Sequence, residues 1–508
     1  MAELKELFQQ RRKKAGELNQ EGIPLYPNDF QVSHSIAEVR ARYGGAGAEE
    51  LRALEDRFSL AGRIMRLSDF GKTAFFHVQD RSERIQGYIR LDQLEERSRQ
   101  ICRRLDIGDL VGLRGRLFRT RTGELTVQVE EIHLLAKSFR PLPEKWHGLA
   151  DQEIRYRQRY LDLIVNPHCR EVFLTRSRIL SFLRQFLISR GFLEVETPMM
   201  QPLPGGATAR PFKTFHNALG MELYLRVAPE LYLKRLLVGG LERVFEINRS
   251  FRNEGLSTQH NPEFTMLEFY QAYVTYREMM ETTEAMLASL ARELTGGAVL
   301  EYQGLRIELT PPWRRLGVLE GLKQYGELAG EDWPDRDRVL RYAEKLGMSL
   351  AGDEPLGRLQ VDIFEKIVEP HLLQPTFVTE YPIEVSPLAR RNDENPQLAD
   401  RFELYIAGRE IANAFSELND PFDQRERFVA QARAKGGEER AGDFVDEDFL
   451  RALEHGMPPA AGEGIGVDRL VMLFTDSPSI RDVILFPLMR PESRERLRAE
   501  EEAGPAAE

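Results

Sequence analysis

The sequence predicts an α+β protein in which a small five-stranded barrel precedes a larger domain built on an antiparallel sheet flanked by helices. Five short strand-like runs within residues 58–137, with one helical run between the third and the fourth, predict the barrel. Residues 244–270 predict the sheet, because two amphipathic strands flank a polar loop there. Apolar residues at helical spacing, as in residues 170–190, supply the flanking helices. A chain of 508 residues is too long for one core, so we expect two or three domains.

Prolines and changes of composition mark the domain boundaries. The stretch FRPLPEKWHGL contains two prolines and is interpreted as a stiff linker that ends the barrel domain near residue 145. Residues 275–375 read mostly helical and are interpreted as an insertion in the larger domain, and the charged C-terminal end reads as disordered. The predicted segments are an N-terminal helical extension at 1–57, the barrel domain at 58–145, the larger domain at 146–492 and a disordered tail at 493–508.

Composition indicates a globular enzyme of the cytoplasm. Hydrophobic residues make up 42% and charged residues 30%, which excludes disordered and fibrous classes. The net charge of −11 argues against wholesale nucleic-acid binding, although a local basic face can still bind phosphate. Cys102 and Cys169 are too few for a zinc cluster and favour a reducing compartment. The start MAELKELFQQRRKK lacks the apolar core of a signal peptide, and no run is apolar enough to cross a bilayer, so we expect no membrane partner.

The five strands of the first domain, with a helix between the third and the fourth, match the order of an OB-fold. Such folds commonly bind single-stranded nucleic acid on an open face through stacking aromatics and positive charge. Phe76 and His77 lie on the second predicted strand, among many arginines. A single aromatic in such a strand is more often a core residue than a stacking platform. Ahead of the barrel, the basic run 11–14 in a predicted helix at 3–20 favours a solvated helix face, with an RNA-binding arm as the alternative.

The hairpin at 244–270 concentrates polar chemistry on one face. Glu268 and Tyr270 lie among apolar residues, where a carboxylate is costly unless a cation pairs with it. Arg252 and Glu254 flank the start of the loop NEGLSTQHNP, as a site for an anionic group beside a hydrogen-bonding base requires. The alternative is an amphipathic hairpin whose polar face is simply solvated.

The segment FRNEG…HNPEFTMLEFY resembles motif 2 of the class II aminoacyl-tRNA synthetases, in the form found in the lysyl-tRNA synthetases. The helix and strand that end at Pro198 resemble motif 1, which forms the dimer interface of that family. The run GEGIGVDR and the helix after it resemble motif 3. The resemblance covers about residues 55–490. The family usually carries leucine where this chain has Glu463, which leaves the local charge open.

The resemblance implies an ATP-dependent ligase. It would activate L-lysine to lysyl-adenylate and pyrophosphate and then transfer lysine to the 3′ end of tRNA(Lys). It would also be a homodimer through the helix and strand around 170–200. In the OB-fold, the family pattern implies that Phe76 stacks on an anticodon base while Gln86 and Glu124 hydrogen-bond to base edges. The register of Glu124 is open, with Glu130 or Glu131 as the alternatives.

The family pattern also implies a nucleotide site. Arg252 would bind the α-phosphate, and Arg469 and His260 the γ-phosphate. Phe264 would stack on adenine against Arg469, and Glu254 would accept from the adenine amino group. Mg²⁺ would bind Glu403 and Glu410, which lie diagonally on one face if the chain turns at 407–408. The residues expected at ATP are Arg252, Glu254, His260, Asn261, Phe264, Glu403, Glu410, Gly466 and Arg469, of which Arg252 and Arg469 are the expected catalytic residues.

Several carboxylates would form the amino-acid pocket, and that number of carboxylates implies a substrate with two ammonium groups. Glu417 with Tyr270 is assigned to the ε-ammonium and Glu230 to the α-ammonium, while Glu268 could serve either. Glu230 could instead be a first-turn carboxylate favoured by the helix dipole. The expected residues are Gly206, Glu230, Glu268, Tyr270, Asn413, Phe415 and Glu417. Asn413, Phe415 and Glu417 have the opposite parity from Glu410. If all four face one pocket, the strand must carry a bulge between 410 and 413.

Two alternative functions remain open at this point. An enzyme that charges tRNA with aspartate or asparagine would share the architecture but would need cationic groups in the pocket. A non-catalytic RNA-binding protein on a synthetase scaffold would lack Arg252, Glu410 or Arg469, and this chain has all three.

Overall fold

The protein was analysed as a computed structural model, which describes residues 2–143, 149, 151–206, 209–350, 352–436 and 445–491. They form two compact units, the first ending by residue 150 and the second spanning Asp151–Met489. The predicted tail at 493–508 lies outside the described residues. No helix in the described ranges is long and apolar enough to cross a membrane.

The first unit contains a closed barrel within the described range 2–143. The strands follow the order β1-β2-β3-β5-β4, with β3 parallel to β5 and the other neighbours antiparallel. The predicted five-stranded OB-fold with a helix between its third and fourth strands is therefore confirmed. The elements are α1 Ala2–Gln20, α2 Ile36–Tyr43, α3 Ala48–Ala53, β1 Phe58–Asp69, β2 Thr73–Gln79, β3 Arg84–Arg90, α4 Glu96–Cys102, β4 Leu110–Arg119 and β5 Leu125–Ala136.

The N-terminal helices share the hydrophobic core of the barrel. Leu18 of α1 and Ile36 of α2 are buried in one cluster with Leu60 and the other inward-facing strand residues. The predicted extension at 1–57 is therefore part of the barrel unit rather than an appendage. Its basic run is divided, because Arg11 is buried and donates to the backbone carbonyl of Ser138, whereas the next two residues are exposed.

The second unit begins with helices and small strands and continues into a large sheet. Its elements are α5 Gln152–Arg157, α6 Arg159–Val165, α7 Pro167–Ile188, β6 Leu193–Glu194, β7 Met200–Gln201, β8 Phe212–His216, β9 Met221–Leu225, α8 Glu230–Val238, β10 Arg243–Phe251, β11 Glu263–Ala272, α9 Tyr276–Thr295, β12 Val299–Tyr302, β13 Leu305–Glu308, β14 Arg314–Gly317, α10 Val318–Tyr325, α11 Arg336–Lys345, α12 Leu356–Ile367, β15 Thr376–Thr379, β16 Arg401–Ile406, β17 Arg409–Ser416, α13 Pro421–Gly436, α14 Glu447–Glu454, β18 Ala460–Gly466, α15 Val467–Phe474 and α16 Ile480–Val483.

Within the described residues, eight strands form this sheet in the order β14-β15-β16-β17-β18-β11-β10-β6. The inner neighbours pair antiparallel, as predicted, but the two edge pairs, β14–β15 and β10–β6, are parallel. The strand predicted to follow α7 and to end at Pro198 is also not continuous. It divides into β6, at the sheet edge, and β7, which pairs with β9 in a separate three-stranded sheet.

Helices α7, α9 and α15 cover one face of the sheet. Leu183, Leu287 and Leu470 from these helices are fully buried with Phe269 and Ile465 from the strands. Because this face is closed by packing, the polar side chains of the same strands point to the opposite face. That opposite face is therefore where a binding site can form.

The predicted helical insertion at 275–375 is only partly correct. Helices α10–α12 pack around Trp333 and Phe364 in a cluster of their own. Its first part, however, belongs to the main structure, since α9 lies in the principal core and β14 is an edge strand of the sheet. Helical spacing alone could not reveal either association, because both depend on residues distant in sequence.

Glu463 on β18 points into the core beneath α9, away from the polar face. It is 1% exposed, and the hydroxyl of Thr283 lies 2.8 and 2.6 Å from its two carboxylate oxygens. Burial raises the pKa of Glu463 to about 8, and no cation pairs with it among the described residues. The charge that the sequence left open is therefore suppressed at neutral pH.

We expect Glu463→Gln to stabilise the protein in alkaline solution. The unfolded carboxyl titrates near 4.5 and the folded one near 8, so stability is lost as pH rises between these values. The amide of the variant does not ionise and avoids this loss. At pH 9 the unfolding free energy of the variant should exceed that of the parent chain by on the order of 2–4 kcal/mol, and at pH 5 the two should differ little. Denaturant unfolding at both pH values measures it, with Glu293→Gln on the exposed side of α9 as the control. A pH-independent difference would contradict the assignment.

Candidate active site

The hairpin of β10 and β11 supports the site. Glu246 pairs with Glu268 and Ser250 with Phe264 in an unbroken antiparallel register, so the two predicted strands are confirmed. Phe269 points into the core, whereas Phe264, Glu268 and Tyr270 point to the opposite face.

A cleft of about 1160 Å³ lies over that face. It brings together residues that are distant in the chain, from six strands, five helices and the loops between them. The predicted residues at its wall are Gly206, Glu230, Arg252, Glu254, His260, Asn261, Phe264, Glu268, Tyr270, Glu403, Glu410, Asn413, Phe415, Gly466 and Arg469. Glu417 is the predicted pocket residue outside this set, since its carboxylate is buried just beneath the wall.

A glycine strand forms the floor at one end of the cleft. Gly462 of β18 pairs with Tyr270 on one side and Phe415 on the other, and Gly464 pairs with Glu268 and Asn413. A Cβ atom at Gly462 would lie 2.4 Å from Oε1 of Glu417 and 2.3 Å from the Tyr270 ring. Glycine is therefore required there for the two neighbouring side chains to meet.

At the arginine-lined end of the cleft, beside Arg252 and Arg469, two buried polar atoms have no hydrogen-bond partner among the described residues. The guanidinium of Arg252 lies 5.1 Å from the ring centroid of Phe264, and its buried Nε–H donates to no partner among the described residues. Oδ1 of Asn261 is likewise unpaired, although its amide donates to the carbonyl of Glu263. Unpaired buried groups are costly, so this end is arranged for a polar ligand.

His260 lies beside this end, and its pKa is lower than that of an ordinary histidine. Its Nδ1 lies 3.0 Å from the Ser257 hydroxyl. Partial burial and the nearby cations Arg469 and Arg252 lower its pKa, with Glu254 opposing the effect. The imidazole is therefore neutral at neutral pH and is available for hydrogen bonding rather than as a permanent cation.

The hairpin of β16 and β17 brings two predicted groups of residues to the same cleft. Its turn consists of Ala407 and Gly408, as predicted, and both residues have positive φ. Tyr405 pairs with Glu410 but Leu404 pairs with Ala412, so one residue of β17 is extra. The predicted bulge between 410 and 413 is confirmed, and it allows residues of opposite parity to face one cavity.

Carboxylates concentrate at the mouth of this hairpin. Glu403 accepts hydrogen bonds from the hydroxyls of Tyr381 (2.7 Å) and Tyr405 (2.6 Å) and pairs with Arg401. Oε2 of Glu410 lies 3.1 Å from Nη1 of Arg469. Each carboxylate keeps acceptor capacity for a further cation. Among the described residues, however, no group of three or more such side chains converges on one metal position.

Glu365 and Glu369 belong to the same acidic region, and sequence reasoning missed them. Burial, reinforced by neighbouring carboxylates that include Glu403 and Glu410, raises the pKa of each to about 7. Glu365 lies in the last turn of α12, and Glu369 follows the end of that helix. Their spacing of four residues was the available signal, but it is also the pattern of an ordinary solvated helix face.

The acidic end of the cleft is lined by Glu230 and Glu268, with Glu417 buried beside them. Lys234 forms ion pairs there with two of these predicted carboxylates. Glu230 is the first residue of α8, and Nζ of Lys234, one turn later, donates to its Oε1 at 2.7 Å. The same ammonium pairs with Oε2 of Glu417. Tyr270 donates to Oε2 of Glu268 at 3.3 Å. Sequence reasoning missed Lys234, although its position four residues after Glu230 is the spacing of a helical ion pair.

The three carboxylates of this end are held in an environment that resists their charge. Burial raises the pKa of Glu268 to about 8, with Glu230 and Glu246 adding to the effect. Burial also raises the pKa of Glu417 to about 8, because Lys234 only partly offsets it, and the pKa of Glu230 is raised for the same reason. Such an excess of buried carboxylate over cation favours a cationic ligand.

Gly206 closes the acidic end from the loop side. Its φ is +88°, and a Cβ atom would lie 3.3 Å from the Cβ atoms of Ala228 and Glu230. A larger residue would therefore be strained and would crowd Glu230. This position was predicted from resemblance to a family, and the contact supplies a physical reason for glycine.

The predicted stacking residue of the barrel is wrong by one position. Phe76 is fully buried, with its ring against Gly87. Phe75 faces outward instead, with its ring centroid 4.7 Å from that of Tyr88 and 6.4 Å from that of Phe70. Adjacent residues of a strand point to opposite faces, and two consecutive phenylalanines do not reveal which one is inside.

The other predicted barrel residues are on the outward face with Phe75. Oε1 of Gln86 accepts from the Thr126 hydroxyl at 2.9 Å, and Oε1 of Glu124 lies 3.3 Å from Nε2 of His77. The alternatives to Glu124 are already paired with arginines, Glu130 with Arg57 and Arg116, and Glu131 with Arg114. Glu124 is itself paired with His77, and it differs from both alternatives because Thr126 links it to Gln86 on the same outward face.

Comparison with known proteins places the chain in a family. The family described as tRNA synthetases class II (D, K and N) matches residues 151–490, and the OB-fold nucleic acid binding domain matches residues 58–135. The lysine–tRNA ligase of Moorella thermoacetica is 54% identical over 486 residues, which cover 96% of this chain and 98% of that protein. That of Thioalkalivibrio sulfidiphilus is 55% identical over 489 residues, with coverage of 96% and 98%, and that of Edwardsiella ictaluri is 52% identical over 488 residues, with coverage of 96% for both chains. The chain therefore belongs to the class II tRNA synthetases and, within them, to the lysine–tRNA ligase family.

Proposed function

We propose that this chain activates L-lysine with ATP to lysyl-adenylate and pyrophosphate, and then transfers lysine to the 3′ end of tRNA(Lys). One observation carries the proposal: Glu230, Glu268 and Glu417 are buried together at one end of a cleft whose other end is lined by arginines. A carboxylate-rich end suits a doubly cationic amino acid, and an arginine-rich end suits a polyphosphate.

In the first step, a carboxylate oxygen of lysine attacks the α-phosphorus of ATP, and the bond to the pyrophosphate oxygen breaks. No general base is needed because the attacking carboxylate is already ionised. Catalysis then rests on positioning and on neutralising the charge of the phosphates. We assign Arg252 to the α-phosphate, and Arg469 with neutral His260 to the γ-phosphate.

Adenine recognition is assigned to the residues around the Arg252 end. Phe264 offers a ring for stacking, and the exposed carboxylate of Glu254 can accept from the exocyclic amino group. Asn261 and Gly466 contribute the adjoining wall. The unpaired buried atoms of Arg252 and Asn261 support this assignment, since a bound nucleotide would supply their partners.

Glu403 and Glu410 would hold Mg²⁺ with ATP. The fit rests on the donor set: two carboxylates with free acceptor capacity stand beside Glu365 and Glu369, whose raised pKa values reflect excess negative charge. Mg²⁺ commonly uses one or two carboxylates and takes its remaining ligands from phosphate and water. When bound, the ion supplies charge neutralisation for the phosphate oxygens.

At the acidic end, we assign Glu417 and Tyr270 to the ε-ammonium, and Glu230 to the α-ammonium, with Glu268 shared. An enzyme for aspartate or asparagine is a weaker candidate. The excess of carboxylates over Lys234 would repel the aspartate side chain, and the neutral asparagine side chain would leave that excess without a countercharge. A non-catalytic scaffold is weaker too, since Arg252, Glu410 and Arg469 all reach the cleft.

We further propose a cytoplasmic homodimer. Leu174, Ile188 and Leu193, around the segment 170–200, are each between 44% and 51% exposed, which supports a covering partner there. Both cysteines are free, which suits a reducing compartment.

Pyrophosphate exchange with each of the twenty amino acids tests the proposed substrate. We expect lysine to support exchange and aspartate and asparagine to give background, because the acidic end repels the carboxylate of aspartate and the amide of asparagine supplies no cation to neutralise it. Omission of Mg²⁺ should abolish the lysine signal. Exchange driven by aspartate or asparagine, or by no amino acid, would refute the proposal.

Glu417→Gln should raise the KM for lysine by about 150- to 5000-fold, since loss of one partner of a buried charged pair costs roughly 3–5 kcal/mol. The KM for ATP should stay within about twofold, because Glu417 lies at the opposite end of the cleft from Arg252. Steady-state exchange kinetics give both constants. Glu301→Gln on β12, an exposed position, is the matched control, and near-normal lysine activation by Glu417→Gln would refute the assignment.

On the barrel, we assign Phe75, Gln86 and Glu124 to the anticodon, with Phe75 in place of Phe76 as the stacking residue. Phe75→Ala should raise the Kd for tRNA(Lys) by about 5- to 150-fold, since one stacked base is worth roughly 1–3 kcal/mol, and should leave lysine activation unchanged. Phe76→Ala should instead lower the unfolding free energy of the barrel by about 3–5 kcal/mol through a core cavity. Filter binding and denaturant unfolding separate the two, and a reversed pattern would contradict the assignment.

A further inference from the structure

Lys234 is the charged residue at the acidic end to which the proposed reaction assigns no task. Its side chain is fully enclosed, with Nζ 2.7 Å from Oε1 of Glu230, in contact with Oε2 of Glu417 and 5.3 Å from the ring centroid of Phe415. A lysine is rarely buried to this degree unless it is paired.

Lys234 occupies one oxygen of each carboxylate and leaves the other available. Oε1 of Glu417 accepts no hydrogen bond from any described residue. It lies against Gly462, where a Cβ atom would be only 2.4 Å away, and Gly462 lines the cleft. A buried acceptor without a donor is costly, so this oxygen marks a position for a donor group from a ligand.

The charges of this end can be counted. Glu230, Glu268 and Glu417 provide three carboxylates, and Lys234 provides one ammonium, which leaves two negative charges when all are ionised. The neighbouring Arg401 is paired with Glu403, and Glu246 with Arg226, so neither changes this sum. The two ammonium groups of L-lysine neutralise that remainder. Without Lys234 the enclosed space would hold three carboxylates and would favour retaining a proton.

We propose that Lys234 is a positioning and specificity-determining residue: it is a fixed countercharge that favours the ionised forms of Glu230 and Glu417 and matches the charge of the pocket to two ammonium groups. It acts through the two carboxylates and does not touch the substrate. The inference rests on the proposed function, since it takes L-lysine as the ligand of this end.

The inference has a pH signature because a proton on these carboxylates competes with the substrate. Burial raises the pKa of Glu268 and of Glu417 to about 8 with Lys234 present, and the ammonium opposes that rise at Glu417 and Glu230. Loss of Lys234 must therefore shift the deprotonation of Glu230 and Glu417 to higher pH. The other charged or titratable groups that act on this set are Tyr270 from β11, Glu246 from β10, Arg401 from β16 and Arg252.

The experiment compares the full chain with Lys234→Met by pyrophosphate exchange from pH 6.5 to 9. At pH 7 the KM for lysine should rise about 10- to 100-fold, the KM for ATP should stay within about twofold, and the lysine defect should shrink as pH rises. Lys345→Met is the matched control, because Lys345 is exposed and pairs with Glu327 at the surface. It should follow the parent chain at every pH.

Two results would overturn the inference. A rise in the lysine KM by the same factor at every pH would mean that Lys234 only supports the local structure. A fall in the lysine KM would mean that the Lys234 side chain competes with the substrate for Glu417.

A double variant covers the case in which Lys234→Met does not fold. Glu268→Gln with Lys234→Met again leaves two ionisable carboxylates, so the double variant should fold, and it is compared with Glu268→Gln alone. Its lysine KM should exceed that of Glu268→Gln at pH 7, and the excess should shrink as pH rises to 9. An excess of the same size at every pH, or an unfolded double variant, would overturn the inference. The unmodified chain is assayed first: absence of lysine-dependent exchange there refutes the proposed function itself, whereas normal exchange with a failed Lys234 result refutes only this inference.

Discussion

The burial of three carboxylates around one lysine is the constraint on which the rest of the second unit depends. Glu230, Glu268 and Glu417 are almost completely removed from water, and Lys234 balances only part of their charge. An uncompensated buried charge is expensive, so such an arrangement persists only if a rigid scaffold holds it and a ligand completes it.

The sheet provides that scaffold through non-neighbouring segments of the chain. The start of α8 and strands β11 and β17 bring the carboxylates together, and β18 supplies a floor without side chains at Gly462 and Gly464. The extra residue in β17 lets the metal-binding and amino-acid ends share one cleft. Helices α7, α9 and α15 seal the other face, which fixes the strands that carry the site.

A raised pKa alone does not identify the site. Burial raises the pKa of Glu463 to about 8, as it does that of Glu268, yet the Glu463 carboxylate points to the helix side of the sheet and accepts hydrogen bonds from Thr283 on α9. Glu268 differs because Tyr270 and the lysine-linked carboxylates surround it and the cleft opens beside it. Geometry therefore distinguishes a binding carboxylate from a structural one, whereas titration behaviour does not.

The sequence by itself determined what depends on local periodicity: the barrel strands, the two strands around the loop at Arg252 and the turn at Ala407–Gly408, whereas the bulge in β17 also required the family resemblance that places both parities in one cleft. These follow from neighbours within a few residues, which alternation and turn chemistry report directly. Only the tertiary structure decided that Phe75 faces outward, that Lys234 bridges the carboxylates and that the N-terminal helices join the barrel core. Each of these depends on which distant segment packs against the residue, and a local pattern of side chains does not contain that information.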